Sequence, residues 1–429
     1  MDPSFSPFAR HFRRFCALLL GLALAPSAVA FAPGFQRQRR VGFTSGDQWE
    51  PALAADGYGH VYILYPQYRS VPDCATCPLP SMTLLISNNG GLEWQAPRAI
   101  AGSASGQFDP QILVDSGDRK TVYASWLENQ KHDVMIAKSV DFGQSWSVAI
   151  AVRTTAEADK PVLAVRAADV YVGFNQGHTL QVAASHDGGV SFLRSQIQAS
   201  VLFRSSLLSG ATVDPSGNVY FAWTGYPRIG ASAALFVSKS ADGGESWSSI
   251  ALDVSAAPPG CAKKKCEWSF LGAQIVIASD EAGTVYGLWN SGTVSGAPER
   301  IYFASSTTAG ETWSPKMNIS KAAAGVEHAF PAIMAGGAGD VRIAWMDTRR
   351  RPLWNTYYRS STNGGASWSA ETKLSSFVPG YSYVRPQGFS FPFGDYFALG
   401  IDGLGQTHAV WGEGANYDSP GSIWYTSGR

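Results

Sequence analysis

An all-β fold of seven four-stranded antiparallel blades closed into a ring is predicted by two repeats and by composition. A short turn recurs six times: SNNGGLEW from Ser87, SVDFGQSW from Ser139, SHDGGVSF from Ser185, SADGGESW from Ser240, STTAGETW from Ser306 and STNGGASW from Ser361. A longer unit recurs seven times, an inner strand, a Gly or Asp turn, and a strand ending in an aromatic ring at Tyr65, Trp126, Phe174, Trp223, Trp289, Trp345 and Trp411. The 429 residues are 15% charged and 12% aromatic, with 45 glycines, a balance that suits short strands and tight turns and argues against disorder.

The N-terminus reads as a targeting segment. Arg10, Arg13 and Arg14 precede an apolar run from Phe15 to Ala25, and Ala28-Val29-Ala30 is a small-X-small cleavage signal. Residues 1–30 are therefore predicted to be a signal peptide and 31–429 one seven-bladed domain. The apolar run is too short to span a bilayer, and no membrane span is expected after removal. Four of the five cysteines remain: Cys74, Cys77, Cys261 and Cys266. An even number in an exported chain reads as disulfides rather than a metal site, since C-X2-C and C-X4-C pairs amount to a zinc site only if they converge.

The blades follow in order. Inner strand and second strand lie in PALAADGYGHVYILY, PQILVDSGDRKTVYASW, PVLAVRAADVYVGF, GATVDPSGNVYFAW, GAQIVIASDEAGTVYGLW, PAIMAGGAGDVRIAW and YFALGIDGLGQTHAVW. An apolar third strand precedes each turn. Seven units over the mature chain give roughly 57 residues each, enough for one blade. Blade 7 ends after a third strand, Ser422–Ser427, and Val41–Ser45 is predicted to supply its fourth strand, closing the ring without an open edge.

The six turns resemble the Asp-box (BNR) repeat of sialidase-like β-propellers. Within them Gly supplies a positive φ, and the residue at Asn89, Asp141, Asp187, Asp242, Thr308 or Asn363 accepts hydrogen bonds from turn amides. Exchange among Asp, Asn and Thr suits a turn cap and not a general acid. The boxes thus mark the face away from the functional residues, which are expected on the opposite rim.

The resemblance implies a glycan-recognising protein, with paired carboxylates or a Tyr–Glu couple for chemistry and arginines for a substrate carboxylate. Candidate catalytic residues are Asp347, Arg349, Arg385, Asp395, Tyr396 and Glu413. Candidate ligand-binding residues are Trp49, Glu50, Asp109, Trp268 and Trp354, with the aromatics stacking on sugar rings. The Phe/Tyr-Arg-Ile-Pro motif of sialidases is absent; Trp49-Glu50-Pro51 stands in its place. Two readings follow, an exo-acting glycoside hydrolase and a non-catalytic propeller that binds a glycan or an envelope or extracellular protein. Equal counts of 33 basic and 33 acidic residues give no reason to expect nucleic acid. No cofactor is implied, and His132, His178 and His328 lack metal-ligand spacing.

Overall fold

The computed structural model describes residues 34–68, 70–197, 203, 205–227, 232–258, 272–350, 353–375, 396–414 and 421–429. Among them every regular element is a β-strand, and the strands form seven antiparallel sheets. Blade 2 shows the plan: Phe108–Val114 innermost, then Val122–Glu128, Asp133–Ser139 and Ser147–Arg153 outermost. Blades 3, 4, 5 and 6 repeat it from Ala158, Ser205, Ile275 and His328. In blade 1 the innermost strand is split into Asp47–Gln48 and Ala52–Ala55, both paired with Val61–Tyr68.

Blade 7 consists of Ala398–Ile401, Thr407–Gly414 and Gly421–Gly428, with Arg39–Val41 on its outer edge. Arg39 pairs with Tyr425 and Val41 with Ile423. The closing strand therefore lies earlier than the predicted Val41–Ser45. Gly42, at φ +86°, ends it, and a Cβ there would meet the Tyr65 hydroxyl at 2.8 Å. The chain turns into blade 1 at that point instead of continuing the strand.

Each blade packs its faces on its two neighbours, so the second strand is apolar on both sides. Trp126, Trp223, Trp289, Trp345 and Trp411 are among the largest fully buried side chains. A buried indole N–H needs an acceptor. Trp126 donates to Glu128 (2.7 Å), Trp345 to Asp347 (2.9 Å) and Trp411 to Glu413 (3.0 Å). In blades 4 and 5 the acceptors are Ser238 (2.8 Å) and Asp253 (2.9 Å). A Trp-X-acid triplet is thus one repeated solution to burying an indole.

All six boxes have the geometry of a self-capped turn. In the copy at Ser139, the Ser139 hydroxyl donates to Asp141 Oδ1 (2.8 Å) and accepts from Gly143 N (2.8 Å), while Ser145 N donates to Asp141 (2.9 Å). Hydrogen bonds from Ser145 and then Ser139 hold the Asp141 carboxyl down to about 2. Asn363 and Thr308 accept the same backbone bond, from Ser367 N and Thr312 N, each at 2.9 Å. The boxes also space the blades. A Cβ on Gly143 of blade 2 would meet Ile86 at 2.9 Å and Tyr62 at 3.2 Å in blade 1. Gly244 meets Tyr171 and Gly310 meets Tyr220 of the preceding blade in the same way.

Candidate functional site

The innermost strands enclose a central cavity of about 560 Å³, lined by residues from all seven blades. Box turns bond to first-to-second-strand turns, as in Gly90 N to Gly59 O (2.8 Å) and Gly364 N to Gly339 O (2.9 Å), so both crowd one end of the cavity. Asp109, Lys160 and Tyr396 line the other end, called the mouth below.

A shared backbone irregularity shapes that mouth. Glu50, Asp109, Lys160 and Phe330 have φ of +53°, +56°, +51° and +55°, and each directly precedes a proline. Register shifts accompany three of them, between Phe108 and Gln111, Asp159 and Val162, and Ala329 and Ala332. A residue before proline prefers extended backbone, and a left-handed non-glycine residue costs roughly 1–3 kcal/mol. The ring holds this strain at one level in blades 1, 2, 3 and 6.

In blades 1–3 the strained residues carry charge. Lys160 Nζ lies 3.6 Å from Glu50 Oε1 and 5.1 Å from the centre of the Tyr396 ring. Lys131 Nζ lies 3.2 Å from Asp109 and 2.8 Å from Asp159. Burial opposes the Lys131 charge, but Asp109 and Asp159 outweigh it and raise its pKa. The Tyr396 hydroxyl donates to Pro110 O at 3.3 Å, tying blade 7 to blade 2. Beside this network Trp49 and Tyr68 stack in parallel, 4.6 Å apart at 6°. Burial, then the nearby Glu50 and Asp109 charges, push the Tyr68 hydroxyl well above the ordinary phenol range, so it is a neutral donor.

Four predicted residues thus fall in one cluster, Trp49, Glu50, Asp109 and Tyr396, of which Asp109 and Tyr396 line the cavity. Lys131, Lys160 and Tyr68 join them and were not singled out from the sequence. A signal for Lys160 existed, since Glu50-Pro51, Asp109-Pro110 and Lys160-Pro161 recur at one place in the blade.

The remaining predicted residues are placed elsewhere. Asp347 has no exposed surface and serves Trp345 and Arg349. Arg349 is bonded to Asp347 and Glu371, both at 2.6 Å, and lies 3.7 Å over the Tyr357 ring. Glu413 is buried against Trp411, and desolvation raises its carboxyl to about 8. Trp354 is 3% exposed in the hydrophobic core of blade 6, against Phe330, and offers no surface for stacking. Arg385, Asp395, Trp268, Cys261 and Cys266 lie outside the described residues.

Cys74 and Cys77 form a disulfide in the blade 1 loop. His328 is buried, with Nδ1 at 2.9 Å from Glu299 O and Nε2 at 2.8 Å from the Ser320 hydroxyl. Burial lowers its pKa to about 4, so the ring is neutral. Among the described residues no group of three or more His, Cys, Asp or Glu side chains is placed to hold a metal ion.

Solved structures share this architecture. An ulvan lyase of a new polysaccharide lyase family, bound to -[GlcA(1-4)Rha3S]-, is 12% identical with TM-score 0.52, covering 90% of this chain and 95% of the lyase. A protein of unknown function from Dyadobacter fermentans is 12% identical with TM-score 0.50, covering 92% of this chain and 99% of that protein. A Hadza microbial sialidase is 13% identical at TM-score 0.46, over 89% of this chain and 66% of the sialidase. No protein-family model and no curated protein sequence matches the chain. At such identities the two better superpositions establish the propeller fold alone.

Proposed function

We propose that this protein is an exported glycan-binding propeller whose ligand seats at the channel mouth on the Trp49–Tyr68 pair. The observation that carries this is the parallel aromatic stack beside the Glu50–Lys160 and Asp109–Lys131 pairs, whose Asp109 and Lys160 line a cavity of about 560 Å³. An aromatic face takes the apolar face of a sugar ring, and fixed acceptors and donors around it read hydroxyl groups. The signal-like residues 1–30 and the Cys74–Cys77 disulfide favour an oxidising compartment, periplasmic or extracellular.

Binding is favoured over hydrolysis by the placement of the carboxyl groups. A glycosidase needs one carboxylic acid that stays protonated at working pH and a second group poised to attack or to activate water. Glu50 and Asp109 each face an ammonium group, with Lys160 at 3.6 Å from Glu50 and Lys131 at 3.2 Å from Asp109. The carboxyls raised in pKa, Glu299 and Glu413, are enclosed on amide and indole donors.

A glycan array followed by calorimetric titration tests this reading. Binding is expected for the intact protein, with a loss of about tenfold or more in the Trp49→Ala variant. No glycan ligand, or undiminished affinity in that variant, overturns it. Turnover of fluorogenic glycosides between roughly pH 4 and 8 would replace binding with hydrolysis at this mouth.

A further inference from the structure

The turn that carries Lys131 is built against its own backbone preference. It links Val122–Glu128 to Asp133–Ser139 in blade 2, and Asn129, Gln130 and Lys131 have φ of +52°, +54° and +64° in succession. Residues with a side chain visit this left-handed region singly, and of these three only asparagine does so readily. His132 N closes the turn onto Asn129 O (3.0 Å), while Asn129 N donates to the Ser105 hydroxyl (2.8 Å) and Lys131 O accepts from Ala158 N (2.8 Å). What the turn delivers is one ammonium group. Lys131 Nζ lies 3.2 Å from Asp109 Oδ2, 2.8 Å from Asp159 Oδ1 and 5.4 Å from the centre of the Phe108 ring. The two oxygens share that nitrogen, so their separation cannot exceed the sum of the two distances, 6.0 Å.

We infer that Lys131 is a tethered plug in a cation pocket formed by Asp109, Asp159 and Phe108, and that the pocket takes the ammonium group of an amino sugar when the turn withdraws. Phe108 and Asp109 belong to the innermost strand of blade 2 and Asp159 to that of blade 3, so the closed ring fixes the pocket while the lysine reaches it on a hairpin turn. Two acidic groups and an aromatic face match an ammonium, which donates hydrogen bonds on one side and meets a π face on another. A metal ion fits worse, since among the described residues no group of three or more His, Cys, Asp or Glu is placed to hold one. One basic group stands against two acidic ones, which disfavours a sulfated or uronate sugar in the same place.

The pocket adjoins the aromatic platform and is open to solvent. Asp109 lines the cavity and is among the groups near enough to act on the Tyr68 hydroxyl. The Lys131 and Asp159 side chains are 30% and 29% exposed, so a ligand reaches the pair from outside. Withdrawal of the plug lets Gln130 and Lys131 return to ordinary backbone, and that relief offsets part of the lost ion pairing. The amino sugar deepens the glycan-binding reading above and rests on it.

Chemical rescue tests the pocket, and titration tests its ligand. In Lys131→Ala, propylammonium chloride is expected to raise the thermal midpoint beyond potassium chloride at equal concentration, and by more than it does in the wild type. Equal effects of the two salts on the variant overturn the pocket. In calorimetric titration the wild type is expected to prefer oligomers of glucosamine to oligomers of N-acetylglucosamine of equal length. That preference should grow about tenfold in Lys131→Ala, where no plug competes, and disappear when Asp159→Asn is added. A wild type without the preference, or a variant in which it does not grow, overturns the assignment. Tighter binding of a lysine peptide than of the glucosamine oligomer also overturns it. Should neither protein bind any glycan, the glycan-binding reading fails, and the propylammonium rescue still decides whether the pocket takes an ammonium.

Discussion

Removing one buried carboxyl should stabilise this protein at neutral pH. Glu413 is 2% exposed, accepts from Trp411 Nε1 at 3.0 Å and is held at about 8 by desolvation, against an ordinary value of 4.5. Unfolding returns it to water and to that ordinary value. Below about pH 4.5 both states are protonated and the group costs nothing. Between 4.5 and 8 the unfolded chain releases a proton that the folded one keeps, so stability falls as pH rises. Above 8 both states are ionised and the full penalty is present. A shift of this size corresponds to an upper limit of about 5 kcal/mol, at 1.36 kcal/mol per pH unit. Glu413→Gln keeps an oxygen for the Trp411 indole and cannot ionise. In urea denaturation it should match the wild type near pH 4.5 and exceed it increasingly toward pH 8. A variant no more stable than the wild type at pH 8, or an unchanged pH dependence, would refute the reasoning.

Gly143→Ala should lower stability by about 2 kcal/mol or more, because the new Cβ meets Ile86 and Tyr62 at a residue with φ +75°; a thermal midpoint equal to wild type would contradict it. Asp141→Asn should be tolerated and Asp141→Ala should lower the midpoint, since Asn89 and Asn363 already fill that role; equal midpoints for both variants would count against a capping role. Asp347→Ala should cost about 3 kcal/mol in denaturant titration, because it leaves the buried Trp345 indole without its acceptor and Arg349 with Glu371 as its remaining carboxylate partner; loss of glycan affinity with stability intact would instead place Asp347 in the ligand site. Intact-mass measurement after reduction and alkylation should reveal at least two added groups, from Cys74 and Cys77, that are absent without reductant; labelling of both without reductant would exclude the disulfide.

Much of the fold was legible because a propeller is built from local repeats. The seven second strands and six boxes recur in the same order along the chain, and each hairpin forms from residues close in sequence. The closing strand was placed a few residues late because nothing local distinguishes Arg39–Val41 from the residues after Gly42. Packing of Gly42 under the Tyr65 hydroxyl decides it. The site was legible in part. Glu50, Asp109 and Tyr396 were found as residues near strand starts on the rim, whereas Lys131 and Lys160 drew no attention as isolated lysines. Asp347 and Glu413 had the residue type of catalysts, yet they belong to the Trp-X-acid triplet that also contains Glu128. The triplet was visible, but its meaning depends on the indole being enclosed.

The amino-acid order alone determined the blade number, the phase of each blade and the structural role of the boxes, because these follow from hydrophobic alternation and turn chemistry within about ten residues. Only the tertiary structure decided which charged groups share a mouth. Lys160 meets Glu50, and Tyr396 reaches Pro110, across blades and hundreds of residues of chain at most. Ring closure brings such groups within a few ångströms, and the same closure buries Asp347 and Glu413 between neighbouring blades. Proximity and burial are properties of the closed ring, and they separate the carboxyls paired with lysines, Glu50 and Asp109, from those that hold an indole.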